Sequence, residues 1–499
     1  MTRFYRAFRA VLRYAVGIYF YDIQAVGQED IPDEGPLIFA ANHPNSIMDS
    51  VVLGAQTERQ IQYMARSGLF RNPIVKALFN QVGVIPIYRA DERDQSNPDS
   101  NFDSFERAYE TLEEGGCIGI FPEGRNSPDR KVQTIKTGTA RIALATEERN
   151  DFQCGVRIQP VGLNFDERDR FLSSVLIRFG EPVDVREYAA QYADDNRAAV
   201  RELTDRIGTD LRDLATHIED DRNHQLVLDI HKIFGNQLQR ELIGDIDADL
   251  DLRSMRSKLL DRARSTSTGG RRDLEDRFNI EQFIADAVDH GMQHQPDEVA
   301  RLRIDIRRYR DHLRQVRLRN ELLEEGLEPS GRRLEAIKMT AYAVLLGPVA
   351  IWGFINNAIP YLLTRPVVRR QKDEAMVTFA GFASGLIAFP LFYFLQSWAL
   401  WTLTDHSVVV VTIYLMSLPV AGFFFLRWWR QLLAYRDRIL SRTIFRTQKN
   451  LLQTLERERL QLISTFGDIK DRYLEARDVS VEHYEEVPEE RRAVTEEAS

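Results

Sequence analysis

Cysteine is nearly absent from this chain, and that excludes the first class of fold to consider. There are two cysteines in 499 residues, Cys117 and Cys154, so no disulfide framework holds the protein together and a reducing compartment is expected. A basic excess is also missing. With 66 Lys and Arg against 75 Asp and Glu the formal net charge is −9, which argues against nucleic-acid binding as the main task. No long uncharged run occurs before about residue 338, and no internal repeat is visible. Histidine is scarce too, nine in all, and only His290 and His294 have the spacing of helical metal ligands. Gly291 lies between them and no third ligand is in view, so no metal site is expected.

The chemistry-bearing residues gather in four short blocks. The first is Asn42-His43-Pro44-Asn45-Ser46-Ile47-Met48-Asp49. Histidine is the side chain that titrates near neutrality, and a carboxylate that fixes its tautomer makes it a general base. On a helix, six residues turn through about 600°, which puts the two side chains on different faces. His43 is therefore expected just before a helix that starts at Pro44, with Ile47 and Met48 buried and Asp49 reaching back. The plainer reading of the same residues is a polar pair beside a helix cap. The second block, Gly83 to Arg89, reads as a buried strand that delivers Arg89 at its end, a guanidinium suited to a phosphate. In the third, the apolar strand Cys117 to Phe121 runs into Pro122-Glu123-Gly124-Arg125, with Lys136 beyond; glycine allows close backbone approach, and Arg125 and Lys136 add positive charge. The fourth, Ile158 to Phe165, is a strand around Pro160-Val161-Gly162.

In this order, over roughly residues 30 to 210, the blocks resemble the glycerolipid acyltransferase family of glycerol-3-phosphate and 1-acylglycerol-3-phosphate acyltransferases. Met64-Ala65-Arg66 is similar to a further family stretch that usually carries a lysine. The resemblance implies an α/β acyltransferase domain, a mixed sheet flanked by helices, followed here by a helical region and C-terminal membrane helices. It also implies direct attack of an acceptor hydroxyl on an acyl thioester, from coenzyme A or acyl-carrier protein, with no other cofactor. His43 would be the base and Asp49 its orienter. Arg89, helped by Arg66, Arg125 and Lys136, would hold the acceptor phosphate, and Glu123 and Gly124 would shape the floor of the site. Five residues separate His43 from Asp49, whereas the family commonly has four. That spacing is similar to a branch acting on glycerol-3-phosphate and dihydroxyacetone phosphate, and 1-acylglycerol-3-phosphate remains the alternative acceptor. After Glu123-Gly124 the family's arginine is displaced by one position, to Arg125. A membrane scaffold without catalysis is the reading from another class, and an intact His43, Asp49 and Glu123 set argues against it.

Around an acyltransferase domain at 25–210, the remaining sequence divides by pattern. Residues 1–24 read as an interfacial helix, with Arg3, Arg6, Arg9 and Arg13 on one arc opposite aromatic and aliphatic residues; docking on the catalytic core is the alternative. Residues 211–337 are charged and helical in period, with a Ser265–Gly270 linker. Within 338–427 lie three apolar stretches, 339–364, 376–401 and 407–426, each long enough for a hydrocarbon core of about 30 Å. Basic residues flank the last two at their outer ends, so they form a hairpin with both ends cytoplasmic, and the catalytic domain faces the cytoplasm. The first stretch is basic on both flanks and contains Gly347, Pro348, Gly353, Asn356, Asn357 and Pro360, which favours a re-entrant or interfacial path over a crossing. A helix over 428–478 carries an apolar stripe for a short coiled coil, including homo-oligomers, or for packing on the helical middle region. The acidic tail 479–499 is expected to be disordered. Expected partners are the acyl donor, the phosphorylated acceptor and the lipid bilayer.

Overall fold

The structure, a computed structural model, describes residues 3–71, 73–87, 100–127, 129–243, 269–315, 332–371, 374–447 and 449–485. These fall into two compact units, the first comprising Met1–His217, Arg256–Phe278 and Ile355–Leu418, the second Ile218–Met255, Asn279–Phe354 and Pro419–Ser499.

The first unit is built on a mixed sheet. In chain order its elements are α1 (Arg3–Tyr19), β1 (Asp22–Val26), β2 (Leu37–Ala41), α2 (Ile47–Gln56), β3 (Ile61–Arg66), α3 (Pro73–Val82), β4 (Ile85–Ile87), α4 (Ser100–Glu113), β5 (Cys117–Ile120), α5 (Gly138–Arg149), β6 (Arg157–Phe165), β7 (Ser174–Phe179), β8 (Val183–Asp184), α6 (Ala189–Asp194) and α7 (Asn196–Leu214). The strand order is β1-β7-β6-β2-β5-β3-β4, with β8 beside β6. Strands β6, β2, β5, β3 and β4 run parallel, and β7 is antiparallel to β6. Such a sheet must be covered on both faces, and β2 shows why it can be. All five of its residues are buried. Ile38 and Ala40 point into a core shared with Leu112 of α4, Leu144 of α5 and Leu203 of α7. Leu37, Phe39 and Ala41 point into the opposite core, shared with Val16 of α1 and Met48 and Val52 of α2. Each fully buried Leu, Ile or Phe contributes about 1.5–3 kcal/mol of transfer free energy.

The chain passes from β5, on one side of β2, to β6 on its other side. The carboxyl ends of β2 and β5 therefore border the point where strand order reverses, the usual place for a ligand in an open α/β sheet.

Helix α1 docks on this core through Tyr5, Val16 and Tyr19, and Arg9 pairs with Glu58 at 2.6 Å. The Arg9 side chain is only 13% exposed, so the four arginines do not share one solvated face. The face left open carries Phe4, Val11 and Tyr14.

In the second unit, the helix Asp221–Ile243 (α8), the part of the helix Gly269–His294 from Asn279 onward, and the helices Pro296–Gln315 and Lys449–Glu485 contribute Val227, Ile230, Val288, Leu302, Ile306, Leu462 and Phe466 to one core. The stripe expected on 428–478 thus packs on the helical middle region, with Leu455, Leu462, Phe466 and Ile469 all buried. The same stripe is not left as an open coiled-coil seam for a second copy. This helix extends to Glu485, beyond the expected boundary at 478, while residues 486–499 and most of the Ser265–Gly270 linker lie outside the described residues.

Among the described residues, three helices are long and apolar enough to cross a membrane, over Thr340–Arg369, Val377–Leu403 and Val408–Leu433. The first belongs to an unbroken helix, Arg332–Arg369, in which Pro348 and Pro360 are accommodated without a turn. A re-entrant path needs a reversal inside the segment, and the structure offers none. Its asparagines find partners within the first unit. Asn356 Oδ1 accepts from the Tyr414 hydroxyl at 2.7 Å, Asn357 Oδ1 accepts from the Tyr393 hydroxyl at 2.6 Å, and Asn357 Nδ2 donates to the Leu418 carbonyl at 3.1 Å. Satisfied polar groups of this kind fix helix against helix where water is scarce.

Candidate active site

His43 stands just past the carboxyl end of β2, held from every side. Its Nδ1 lies 2.9 Å from Asp49 Oδ2, which leaves Nε2 as the ring nitrogen that can take a substrate proton. The ring stacks on Phe121 at 4.1 Å, and Phe121 stacks in turn on Tyr63. The backbone is tied to the third block: the His43 N–H donates to Glu123 Oε1 at 3.1 Å, and its carbonyl accepts from the Ser127 N–H at 3.1 Å. The side chain is 18% exposed, so the site is recessed yet open.

Asp49 sits in the first turn of α2, which begins at Ile47 and not at Pro44. The difference has a local cause. Ser46 takes φ 51° and ψ −129°, a conformation that costs a non-glycine residue about 1–3 kcal/mol, and the helix cannot start before that kink. The kink points the Asn45 N–H at Asp49 Oδ2 across 2.8 Å, so one carboxylate oxygen receives both Asn45 and His43. Asp49 is fully buried. Burial pushes its carboxyl up, opposed by the His43 hydrogen bond and charge, the Asn45 N–H and the nearby Arg168 guanidinium.

Glu123 is also buried, and its carboxylate faces the backbone N–H groups of His43 and Gln133. It braces the first block against the third, whereas the expectation was a residue of the substrate floor. Burial pushes its carboxyl up to about 7, with the two N–H groups and His43 pulling it back. Between its ordinary value of 4.5 and about 7 the folded chain holds a proton that the unfolded chain has released. The stability Glu123 contributes is therefore complete below the ordinary value and lost as pH rises through about 7. Thermal unfolding in detergent should show this as a fall in midpoint between about pH 5 and 8 that flattens in Glu123→Gln, and an unchanged slope would refute the assignment.

Gly124 has φ +71°, a value that favours glycine, and it turns the chain so that the Lys136 N–H can donate to the Pro122 carbonyl at 2.8 Å. Arg125 and Lys136 are exposed on this arm, and Arg125 donates to Gln133 Oε1 at 3.3 Å. Arg66 closes β3, exposed at the same sheet edge as the carboxyl ends of β2 and β5. Arg89 lies outside the described residues; β4, parallel to β3, ends two residues before it.

Sequence reasoning assigned no role to three further contributors. Asn42 pairs both ways with the Leu163 backbone, its Nδ2 donating at 3.1 Å and its Oδ1 accepting at 2.7 Å, which joins the first block to the fourth. Asn45 anchors Asp49, and Arg168 places positive charge near it while donating to the Pro44 carbonyl at 3.3 Å. The adjacency of Asn42 to His43 was a visible signal, but Arg168 arrives from 119 positions beyond Asp49 with none.

A histidine whose Nδ1 is held by a buried carboxylate, with cationic side chains on neighbouring strand ends and turns, is an arrangement that can serve general-base chemistry on a hydroxyl. Residues 22–164 match the family model described as Acyltransferase. Over 141 residues the chain is 30% identical to glycerol-3-phosphate O-acyltransferase 1 of Saccharomyces cerevisiae, covering 28% of this chain and 18% of that protein. Over 163 residues it is 29% identical to the chloroplastic 1-acyl-sn-glycerol-3-phosphate acyltransferase LPAT1 of Arabidopsis thaliana, covering 32% of this chain and 41% of that protein. It is also 28% identical over 123 residues to the 1-acyl-sn-glycerol-3-phosphate acyltransferase of Bacillus subtilis, covering 24% of this chain and 56% of that one. Its first domain is thus similar to glycerol-3-phosphate and 1-acylglycerol-3-phosphate acyltransferases, and the chain spans less than two thirds of these relatives' lengths.

Proposed function

We propose that this chain is a membrane-bound O-acyltransferase that moves a fatty acyl group from an acyl thioester to glycerol-3-phosphate or dihydroxyacetone phosphate, an early step of phospholipid synthesis. The observation that carries the reading is the His43–Asp49 pair at 2.9 Å, with Nε2 left for substrate at the carboxyl end of β2. His43 Nε2 takes the proton of the acceptor hydroxyl as its oxygen attacks the thioester carbonyl. The tetrahedral intermediate collapses, the carbon–sulfur bond breaks, and the departing thiolate takes the proton back from His43. Asp49 stabilises the imidazolium in between. Arg66, Arg89, Arg125 and Lys136 are assigned to the acceptor phosphate, a guanidinium being the better bidentate partner.

The five-residue spacing between His43 and Asp49 favours an unacylated acceptor. A second reading, acylation of 1-acylglycerol-3-phosphate to phosphatidic acid, is supported by the Arabidopsis and Bacillus relatives, which are named for that step. We assign the catalytic domain to the cytoplasmic face, since the head of the second apolar helix is bonded to it through Thr378 and the Arg168 carbonyl, basic residues 365–372 precede that head, and none lies in the 402–406 turn at the other end.

The test is acyl transfer by the detergent-purified full chain, with long-chain acyl-CoA and then acyl-carrier protein as donors. Glycerol-3-phosphate, dihydroxyacetone phosphate and 1-acylglycerol-3-phosphate are offered separately. Product from an unacylated acceptor supports the main reading, and product from the lysolipid alone moves the chain to the second step. No product with either donor overturns both and favours a scaffold.

A further inference from the structure

The segment from Asp166 to Ser173, which joins β6 to β7, lies between the catalytic turn and the helix Glu374–Leu403. The carbonyl of Arg168 accepts two hydrogen bonds there, one from Asn45 Nδ2 at 3.2 Å and one from Thr378 Oγ1 at 2.9 Å. Asn45 is the residue whose N–H donates to Asp49. Thr378 is the second residue of the apolar stretch Val377–Leu403, and it is 1% exposed. A short relay thus leads from the head of a membrane-length helix to the base: Thr378, the Arg168 carbonyl, Asn45, Asp49, His43.

Thr378 differs from other threonines of the apolar helices. Thr364, Thr402 and Thr412 each return the hydroxyl to a carbonyl three or four residues back in their own helix, the usual behaviour of a helical threonine. Thr378 instead donates to the loop, and the Asp169 carboxylate stands 3.3 Å from the same hydroxyl. Packing reinforces the junction. Phe382, one turn further along, meets Tyr19 edge-on at 5.8 Å; Tyr19 meets Phe171 of the loop at 5.4 Å, and its carbonyl accepts from the Leu172 N–H at 2.8 Å.

We propose that Thr378 is a positioning residue of the active site, coupling the seating of this apolar helix to the geometry of the His43–Asp49 pair through the Arg168 peptide. The inference rests on the acyl-transfer reading for its activity arm. A base contributes its full effect only when held within tenths of an ångström, so loosening one of two tethers on the loop should cost turnover more than affinity.

The experiment compares Thr378→Val, which keeps bulk but cannot donate, with Thr378→Ser, which can. Both are made in the full chain, with Thr378→Ala replacing the valine variant if that fails to accumulate. The valine variant should lose about tenfold in kcat with KM for the acceptor within about twofold, and serine should restore most of the loss. Its effect should be less than additive with that of Asn45→Ala, because both act on one carbonyl. A readout independent of turnover is the titration of the His43 ring by NMR in histidine-labelled protein, assigned by its absence in His43→Ala; Thr378→Val should shift it and Thr378→Ser should not. Wild-type kcat with an unmoved His43 titration, or serine as impaired as valine, overturns the coupling. A wild-type chain inactive on every acceptor overturns the functional reading instead and leaves the titration to judge the coupling.

Discussion

Replacing His43 by alanine is expected to lower kcat for acyl transfer by about 10²–10⁴-fold while leaving acceptor KM within about twofold. The ring is 18% exposed and its removal deletes one stacking partner of Phe121, so the fold should persist. Its backbone ties to Glu123 and Ser127 do not involve the ring and are kept. Asp49→Asn should approach the same loss by a different route. A neutral amide can still accept from the Asn45 N–H, so the turn survives, but it cannot stabilise the imidazolium that forms when Nε2 takes the hydroxyl proton. The pair should also act as one unit, with the double variant little worse than His43→Ala alone. Kinetics with saturating thioester and varied acceptor, beside thermal unfolding of each variant, separates these outcomes. A His43→Ala chain that retains turnover would remove the base from the mechanism.

How far these assignments could be read without coordinates depends on the range of the interactions behind them. The His43–Asp49 pair lies within one turn of chain, and residue type with spacing was enough to nominate it. The apolar runs of β5 and β6 announced buried strands by composition. The start of α2 was misplaced because Pro44 suits a first helical position, whereas the strained Ser46 and its neighbours, fixed by Asp49 and Arg168, decide where the helix begins. Glu123 could be singled out, but its direction could not: only the fold turns its carboxylate onto the His43 N–H. Arg168 and Thr378 were invisible because they act through one backbone carbonyl and come from loop and helix positions far along the chain. In the first apolar segment, glycine, proline and asparagine argued locally for a break, and the long helical context, with partners for both asparagines, outweighed them.

The fourth block reads as a core strand, and the structure gives its Gly162 a packing role. A Cβ there would stand 2.2 Å from the carbonyl oxygen of Leu214 and 2.4 Å from its carbonyl carbon, both backbone atoms at the end of α7 that no rotamer change can move. That same carbonyl accepts from Asn164 Nδ2 at 3.0 Å, while Asn164 Oδ1 accepts from the Thr216 N–H at 2.7 Å, so the end of α7 is clamped onto β6 where Gly162 makes room. Gly162→Val must lift that end, stretch both hydrogen bonds and loosen Leu203, Ile207 and Leu211 in the core beneath α7. Overpacking alone costs about 1–3 kcal/mol, and the stretched bonds add about 1 kcal/mol each. The valine variant should therefore unfold well below the wild type in detergent or fail to accumulate, with Gly162→Ala intermediate. Any folded Gly162→Ala should keep the wild-type acceptor KM and pH profile, because the added Cβ points at Leu214 at the end of α7. A variant as stable as the wild type yet inactive would instead give the fourth block a part in the chemistry.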